Sequence, residues 1–279
     1  MPVTSAENGG PDGWRPLLRV SPSALLSYLD CPRRYRMAYL DVPRPPKRAQ
    51  RAHTSLGIAV HNALRDWWDL PVAERTPHAG AALVRRGWIR LGFRDDDQSA
   101  HHRERSAVHV GEYLATLDPA QEPRGIERTV AMVTGALAVT GRVDRLDERE
   151  GELVVVDYKT GRTPLTDDDA RFSLPLALYA GSVWKMFRRP CLKVELHHLP
   201  TGVIARHEHT PESLTRKVEE ARSIGADIDI ARERLASGDE DPFPPRVGPI
   251  CRWCDLRAHC PEGQAYGPEE PDWAGLPDT

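Results

Sequence analysis

Apolar residues at Leu56, Val60, Ala63, Leu64 and Trp67 recur every three or four positions, which predicts an amphipathic helix. Ahead of it, Ser21 and Pro22 form an N-cap and first-turn pair for a helix ending near Asp30. Pro32 breaks that helix and opens a second, short one to Leu40. Further helical stretches near 81–93 and 100–117 complete an N-terminal helical half. After Gly125 the pattern changes to short runs of Val, Ile, Thr and Leu between turn residues, which predicts strands near 126–133, 136–146 and 153–159. A helix over 170–187 follows, then a hairpin of 192–199 and 203–209 across Thr201 and Gly202, then a helix over 212–235. Residues 237–249, with four prolines, read as irregular.

The order of elements predicts an α/β protein: a mixed β-sheet core flanked by helices, with an N-terminal helical region and a C-terminal cysteine-bearing staple. The boundaries expected are a flexible tail over 1–17, the helical region over 18–120, the sheet core over 121–236, a cysteine cluster over 237–262 and a disordered acidic tail over 263–279. A chain of 279 residues, 40% hydrophobic and 28% charged, has ample core for a globular fold and excludes a fibrous or low-complexity one. No apolar run approaches the roughly 18 residues of a membrane helix. The opening residues have neither a basic stretch nor an apolar one, so a cytoplasmic location without membrane contact is expected.

The net charge of −3 leaves no global basic footprint, so contact with nucleic acid has to come from local patches. One stands out: between Trp14 and Arg51, nine basic residues, Arg33, Arg34 and Arg36 among them, face only Asp30 and Asp41. Arginine outnumbers lysine 33 to five, so Lys159 is a residue the composition alone would not readily supply.

Lys159 belongs to the most informative segment, residues 141–161. A hairpin closed by a two-residue turn at Glu150 and Gly151 sets Asp144 directly across from Asp157. Opposed like charges repel unless a cation lies between them. Lys159, two residues beyond Asp157, points to the same side. Oxygen ligands of this kind suit Mg2+ or Mn2+, ions that polarise a phosphodiester and lower the pKa of water.

The five cysteines are an odd number, which argues against a disulfide framework. Cys251, Cys254 and Cys260 have the C-x2-C-x5-C spacing of a metal knot. Cys31, at the helix break, is the best candidate for a fourth ligand, and Cys191 reads as a small buried residue.

Taken in order, these residues resemble the PD-(D/E)XK nuclease superfamily, in its RecB-like and Cas4-like branch. Gly141 to Arg145 resembles a GxxDR element and Asp157-Tyr158-Lys159 a D-x-K element. Gly57 to His61 resembles the GxxxH pattern of an N-terminal helix. The resemblance implies a restriction-endonuclease-like fold, with Lys159, Asp157, Asp144 and Glu127 catalytic and His61, Asp144 and Asp157 on Mg2+ or Mn2+. It implies a [4Fe-4S] cluster on Cys31, Cys251, Cys254 and Cys260, for which a structural Zn2+ is the alternative. Tyr179, Arg33, Arg34, Arg36 and Arg145 are the residues expected on the nucleic acid. One position departs: Pro175 stands where the family's Q-x-x-x-Y motif has glutamine.

The activity implied is metal-dependent DNA hydrolysis, single-strand or end-directed and exonucleolytic, in repair, recombination or defence. DNA is the implied partner, with a helicase or other repair protein beside it. The alternative is a non-catalytic DNA-binding or scaffolding subunit with a decayed nuclease core.

Overall fold

A computed structural model describes residues 17–276. The expected tail over 1–17 therefore lies, but for residue 17, outside the described residues. The chain is α/β, with a mixed six-stranded sheet flanked by helices. It begins with strand β1 (Leu18–Val20) and helix α1 (Pro22–Asp30), whose N-cap Ser21 accepts the Ala24 amide at 3.1 Å. Helix α2 (Pro32–Tyr35) runs on into a π-helical turn, Arg36–Leu40. Three helices follow: α3 (Ala52–Trp68), α4 (Pro77–Arg86) and α5 (Asp96–Leu114). Helix α4 starts four residues before the expected 81 and stops at Gly87, because Thr76 caps the Ala79 amide and Pro77 opens the first turn.

Strands β2 (Gly125–Thr134), β3 (Leu137–Arg149) and β4 (Glu152–Lys159) come next. The expected helix over 170–187 is two helices, α6 (Asp167–Phe172) and α7 (Leu174–Phe187). Ser173 separates them and caps α7 by accepting the Leu176 amide at 3.3 Å, which places Pro175 in a first turn where proline costs no hydrogen bond. The hairpin of β5 (Lys193–His198) and β6 (Val203–Glu208) leads to α8 (Pro211–Ala236), and α9 (Pro261–Ala265) closes the list.

The strand order is β1-β3-β4-β5-β6, with β2 also on β3. β1 runs parallel to β3 and β4 parallel to β5; the other pairs are antiparallel. β2 lines one edge of β3 from Leu137 to Leu146. The other edge is shared: β1 takes Leu137 to Val139 and β4 takes Arg145 to Arg149. Residues 140–144 of that edge therefore face a split in the sheet.

β4 alternates in the manner of a strand buried on both faces. Val154, Val156 and Tyr158 pack under α3, α4 and α5 with Leu64, Trp67 and Val110. Leu153 and Val155 pack with α7 and β5. Each such side chain contributes roughly 1.5–3 kcal/mol on burial. β1 and α1 share a third cluster with β3, α7 and α8, so the first described strand is part of the sheet core, not of a separate helical region.

The described part of the acidic segment expected to be disordered, residues 263–276, is packed. Ala52 N donates to Asp272 O at 3.1 Å, Arg48 pairs with Asp272 at 2.8 Å and with Glu269, and Arg51 donates to the carbonyls of Glu270 and Pro271. Local composition hid this, because the compensating arginines lie some 220 residues earlier. None of the described helices is long and apolar enough to cross a membrane.

Candidate metal site at the split in the sheet

The β3–β4 turn is Glu150 and Gly151, both at positive φ (52° and 82°), and the ladder runs from Arg149↔Glu152 to Arg145↔Val156. This two-residue turn matches the twist of the strands it joins. One step further the ladder stops. Instead of a backbone partner, the Tyr158 amide donates to Asp144 Oδ2 at 2.8 Å. The Asp144 carboxylate thus takes over the role of a strand neighbour and is fixed beside Asp157.

Glu127 reaches the same place from β2. Its neighbours pair as Ile126↔Arg145 and Arg128↔Val143, while Glu127 itself leaves the ladder at φ +46°. A left-handed glutamate costs about 1–3 kcal/mol, and such strain collects at functional sites. Arg142 holds the displaced carboxylate at 2.8 Å. From α3, His61 Nδ1 lies 3.4 Å from Asp144 Oδ1, with its ring edge-on to Tyr158. One ligand atom from each of His61, Glu127 and Asp144 falls within 4.8 Å of the others. Asp157 stands beside this group, paired through Oδ2 with Lys159 Nζ at 2.6 Å.

The electrostatics show a site short of positive charge. Burial raises the pKa of Asp157; Lys159 opposes the rise and Asp144 adds to it. Burial likewise raises Glu127, with the Asp144 charge behind it. Burial pushes His61 down, yet the hydrogen bond to Asp144 and the charges of Asp144, Asp157 and Glu127 outweigh it and hold His61 above its ordinary value. Asp157 Oδ2, for all its closeness to Lys159, is buried without a well-aligned hydrogen bond. The three converging side chains, one imidazole and two carboxylates, with the Asp157 carboxylate beside them, fit a hard divalent cation.

Tyr179 of α7 faces the same acids. Burial, then the charges of Asp157 and Asp144, push its hydroxyl up to about 12. Gly141 makes this approach possible, since a Cβ there would stand 2.4 Å from the Tyr179 ring. Arg142 and Arg65, one turn beyond His61 on α3, also bear on Glu127 and were missed in the sequence. The i, i+4 spacing of His61 and Arg65 was the available signal.

Arg145 is not on a nucleic-acid surface. It is 2% exposed, donates to Tyr113 and Tyr158 hydroxyls at 2.9 and 3.1 Å and to Asp147 at 3.0 Å. Arg33 and Arg36 are likewise engaged, Arg33 with Asp241 and the Phe243 carbonyl and Arg36 with Asp41, while Arg34 lies 3.5 Å from Asp30. Arg33 and Arg34 bear electrostatically on Cys260 and Cys254.

The cysteines gather at this end. The Arg246 amide donates to Cys31 Sγ at 3.4 Å, and its carbonyl lies 3.9 Å from Cys251 Sγ. Cys254 and Cys260 pack with Met37 and Leu256. Burial raises both of these thiols. Cys191 is apart, buried against Leu153, its thiol pushed up to about 12 by desolvation.

No curated protein matches the chain. Among solved structures, a crystal structure described as "Putative exonuclease" from Eubacterium rectale superposes with a TM-score of 0.52 at 11% identity, covering 86% of this chain and 87% of the other. That likeness concerns the fold. A sequence profile of the PD-(D/E)XK nuclease superfamily matches residues 19–261, which takes in His61, Glu127, Asp144, Asp157 and Lys159, and the chain belongs to that superfamily.

Proposed function

We propose that the chain is a metal-dependent deoxyribonuclease, single-strand or end-directed, of the RecB-like and Cas4-like branch. The observation that carries the reading is the convergence of His61, Glu127 and Asp144 within 4.8 Å, beside the Asp157–Lys159 pair. A Mg2+ or Mn2+ ion held there supplies an electrophile for a phosphodiester and a lowered pKa for water. His61, Asp144, Asp157 and Glu127 hold it. Lys159 orients the attacking water and offsets charge that develops on phosphate. Tyr179 bounds the site from α7, and Pro175, seated in the first turn of that helix, leaves its position intact.

Incubating end-labelled single-stranded and duplex DNA with Mn2+ and with EDTA tests this. Metal-dependent cleavage that vanishes in Asp144→Ala and Lys159→Ala, with DNA binding kept, is the expected result. Binding without cleavage in the parent protein would instead assign it to a scaffolding role.

The same reading places a [4Fe-4S] cluster on Cys31, Cys251, Cys254 and Cys260. Support comes from their shared neighbourhood around Arg246 and Met37 and from the cationic Arg33 and Arg34 beside them, which suit thiolate ligands. Protein purified without air should be brown and carry about four irons per chain. A colourless protein loaded with zinc would give the site to Zn2+. DNA repair or defence, with a helicase or similar partner, is the setting this activity suits.

A further inference from the structure

A second basic feature lies just beyond the catalytic strand. A pocket of about 290 Å³ opens between α3, α5, the loop after β4 and the β5–β6 turn. Its rim carries Arg105 and Arg162, both exposed, and its wall is mixed, with apolar Leu56, Val60 and Leu199 beside the polar His102, His109 and Thr160. No carboxylate lines it. Arg105 and Arg162 have no acidic partner among the described residues, whereas Arg33, Arg34, Arg36, Arg48 and Arg51 all do.

The pocket is built and not merely a gap. His198, 1% exposed, bonds Gly161 O through Nε2 at 2.6 Å and Thr201 Oγ1 through Nδ1 at 2.7 Å, stapling the two loops that form its floor. It is also tied to the metal site. Val60, which lines the pocket, precedes His61 on α3, and Thr160, which also lines it, follows Lys159 just past the end of β4, while Lys159 itself pairs with Asp157.

Resting on the nuclease reading above, we propose that this pocket seats a nucleotide adjacent to the scissile phosphate. Arg105 and Arg162 clamp its phosphate, and Leu56, Val60 and Leu199 support its sugar or base. Such a seat sets how the strand enters the metal site, which the paired arginines near the N-terminus are not free to do. Arg105 and Arg162 are positioning residues and do not touch the reacting atoms.

The test is the double charge reversal Arg105→Glu, Arg162→Glu, both at exposed positions, with Arg105→Lys, Arg162→Lys as the conservative control. Binding of a fluorescent single-stranded oligonucleotide is read by anisotropy in EDTA across a KCl series, with the circular dichroism melt confirming the fold. The reversal should weaken binding at least tenfold and make the slope of log K against log salt shallower by roughly one, while the lysine control keeps most of the affinity. With Mn2+ present, KM should rise more than kcat falls. A folded reversal variant with unchanged affinity and salt slope overturns the proposal, even where cleavage proves the nuclease reading right. Thymidine monophosphate that binds as tightly as the oligonucleotide, with strand binding untouched by the reversal, makes the pocket a free-nucleotide site and overturns it too. A parent protein that never cleaves, yet binds strand through these arginines, sinks the nuclease reading and leaves the pocket standing.

Discussion

Arg145 shows how far a single residue's role can sit from its appearance in the sequence. Strand alternation gives it the same face as Val156 and Tyr158, which is the covered one, so its burial was readable by parity although its chemistry suggested solvent. Removing it takes the guanidinium donor from the Tyr158 and Tyr113 hydroxyls and empties a buried space, although Tyr113 keeps His197 and Asp147 keeps Arg149. Arg145→Ala should therefore cost about 2–5 kcal/mol, through the cavity and the lost hydrogen bonds, seen as a lower urea midpoint. Glu127 poses the opposite case. Its left-handed φ was invisible locally, because nothing in the residues around it demands that conformation. Glu127→Gly should relieve backbone strain on the order of 1 kcal/mol and raise the melting temperature, while calorimetric titration shows weaker Mn2+ binding.

At the scale of elements, the β3–β4 hairpin was legible down to its register because a two-residue turn at Glu150 and Gly151 leaves no freedom in pairing. The long helices were legible from their periodicity. The break between α6 and α7 was missed although its signal was present, since Ser173 and Pro175 form the same cap and first-turn proline pair as Ser21 and Pro22, inside a run whose apolar residues otherwise continue. β1 escaped as well: three residues carry no period, and their partner strand lies more than a hundred residues away. Two measurable consequences belong here. Gly141→Ala would drive a methyl group against Tyr179 and the Pro22 ring, so cleavage should fall sharply with a stability loss of about 1–3 kcal/mol. His209, at the junction of β6 and α8, is 3% exposed. Burial, then the charges of His207 and Lys217, hold its pKa down at about 4. The unfolded chain therefore binds the proton more readily, so stability is fully present above about pH 6.5 and drains away as pH falls towards 4. Unfolding free energy measured against pH should lose that slope in His209→Gln.

For the molecule as a whole, charge is arranged across its length more than along it. The basic N-terminal stretch and the acidic C-terminal one, opposite in composition, neutralise each other through Arg33, Arg48 and Arg51. Each was legible separately; their meeting was not, because pairing over such separations depends on the fold. Deleting residues 266–279 should leave the buried Arg51 without its carbonyl partners, lowering the melting temperature and opening the start of α3 to limited proteolysis. The parallel pairing of β1 with β3 also bears on how the protein is made. On the ribosome, β1 emerges first and has nothing to dock on until β3 has left the exit tunnel, so the N-terminal segment waits unpaired through almost half of translation. The thiols impose a later deadline still: Cys31 meets Cys251, Cys254 and Cys260 only when Cys260 is out, so any inorganic centre held by all four would load after every strand of the sheet has emerged.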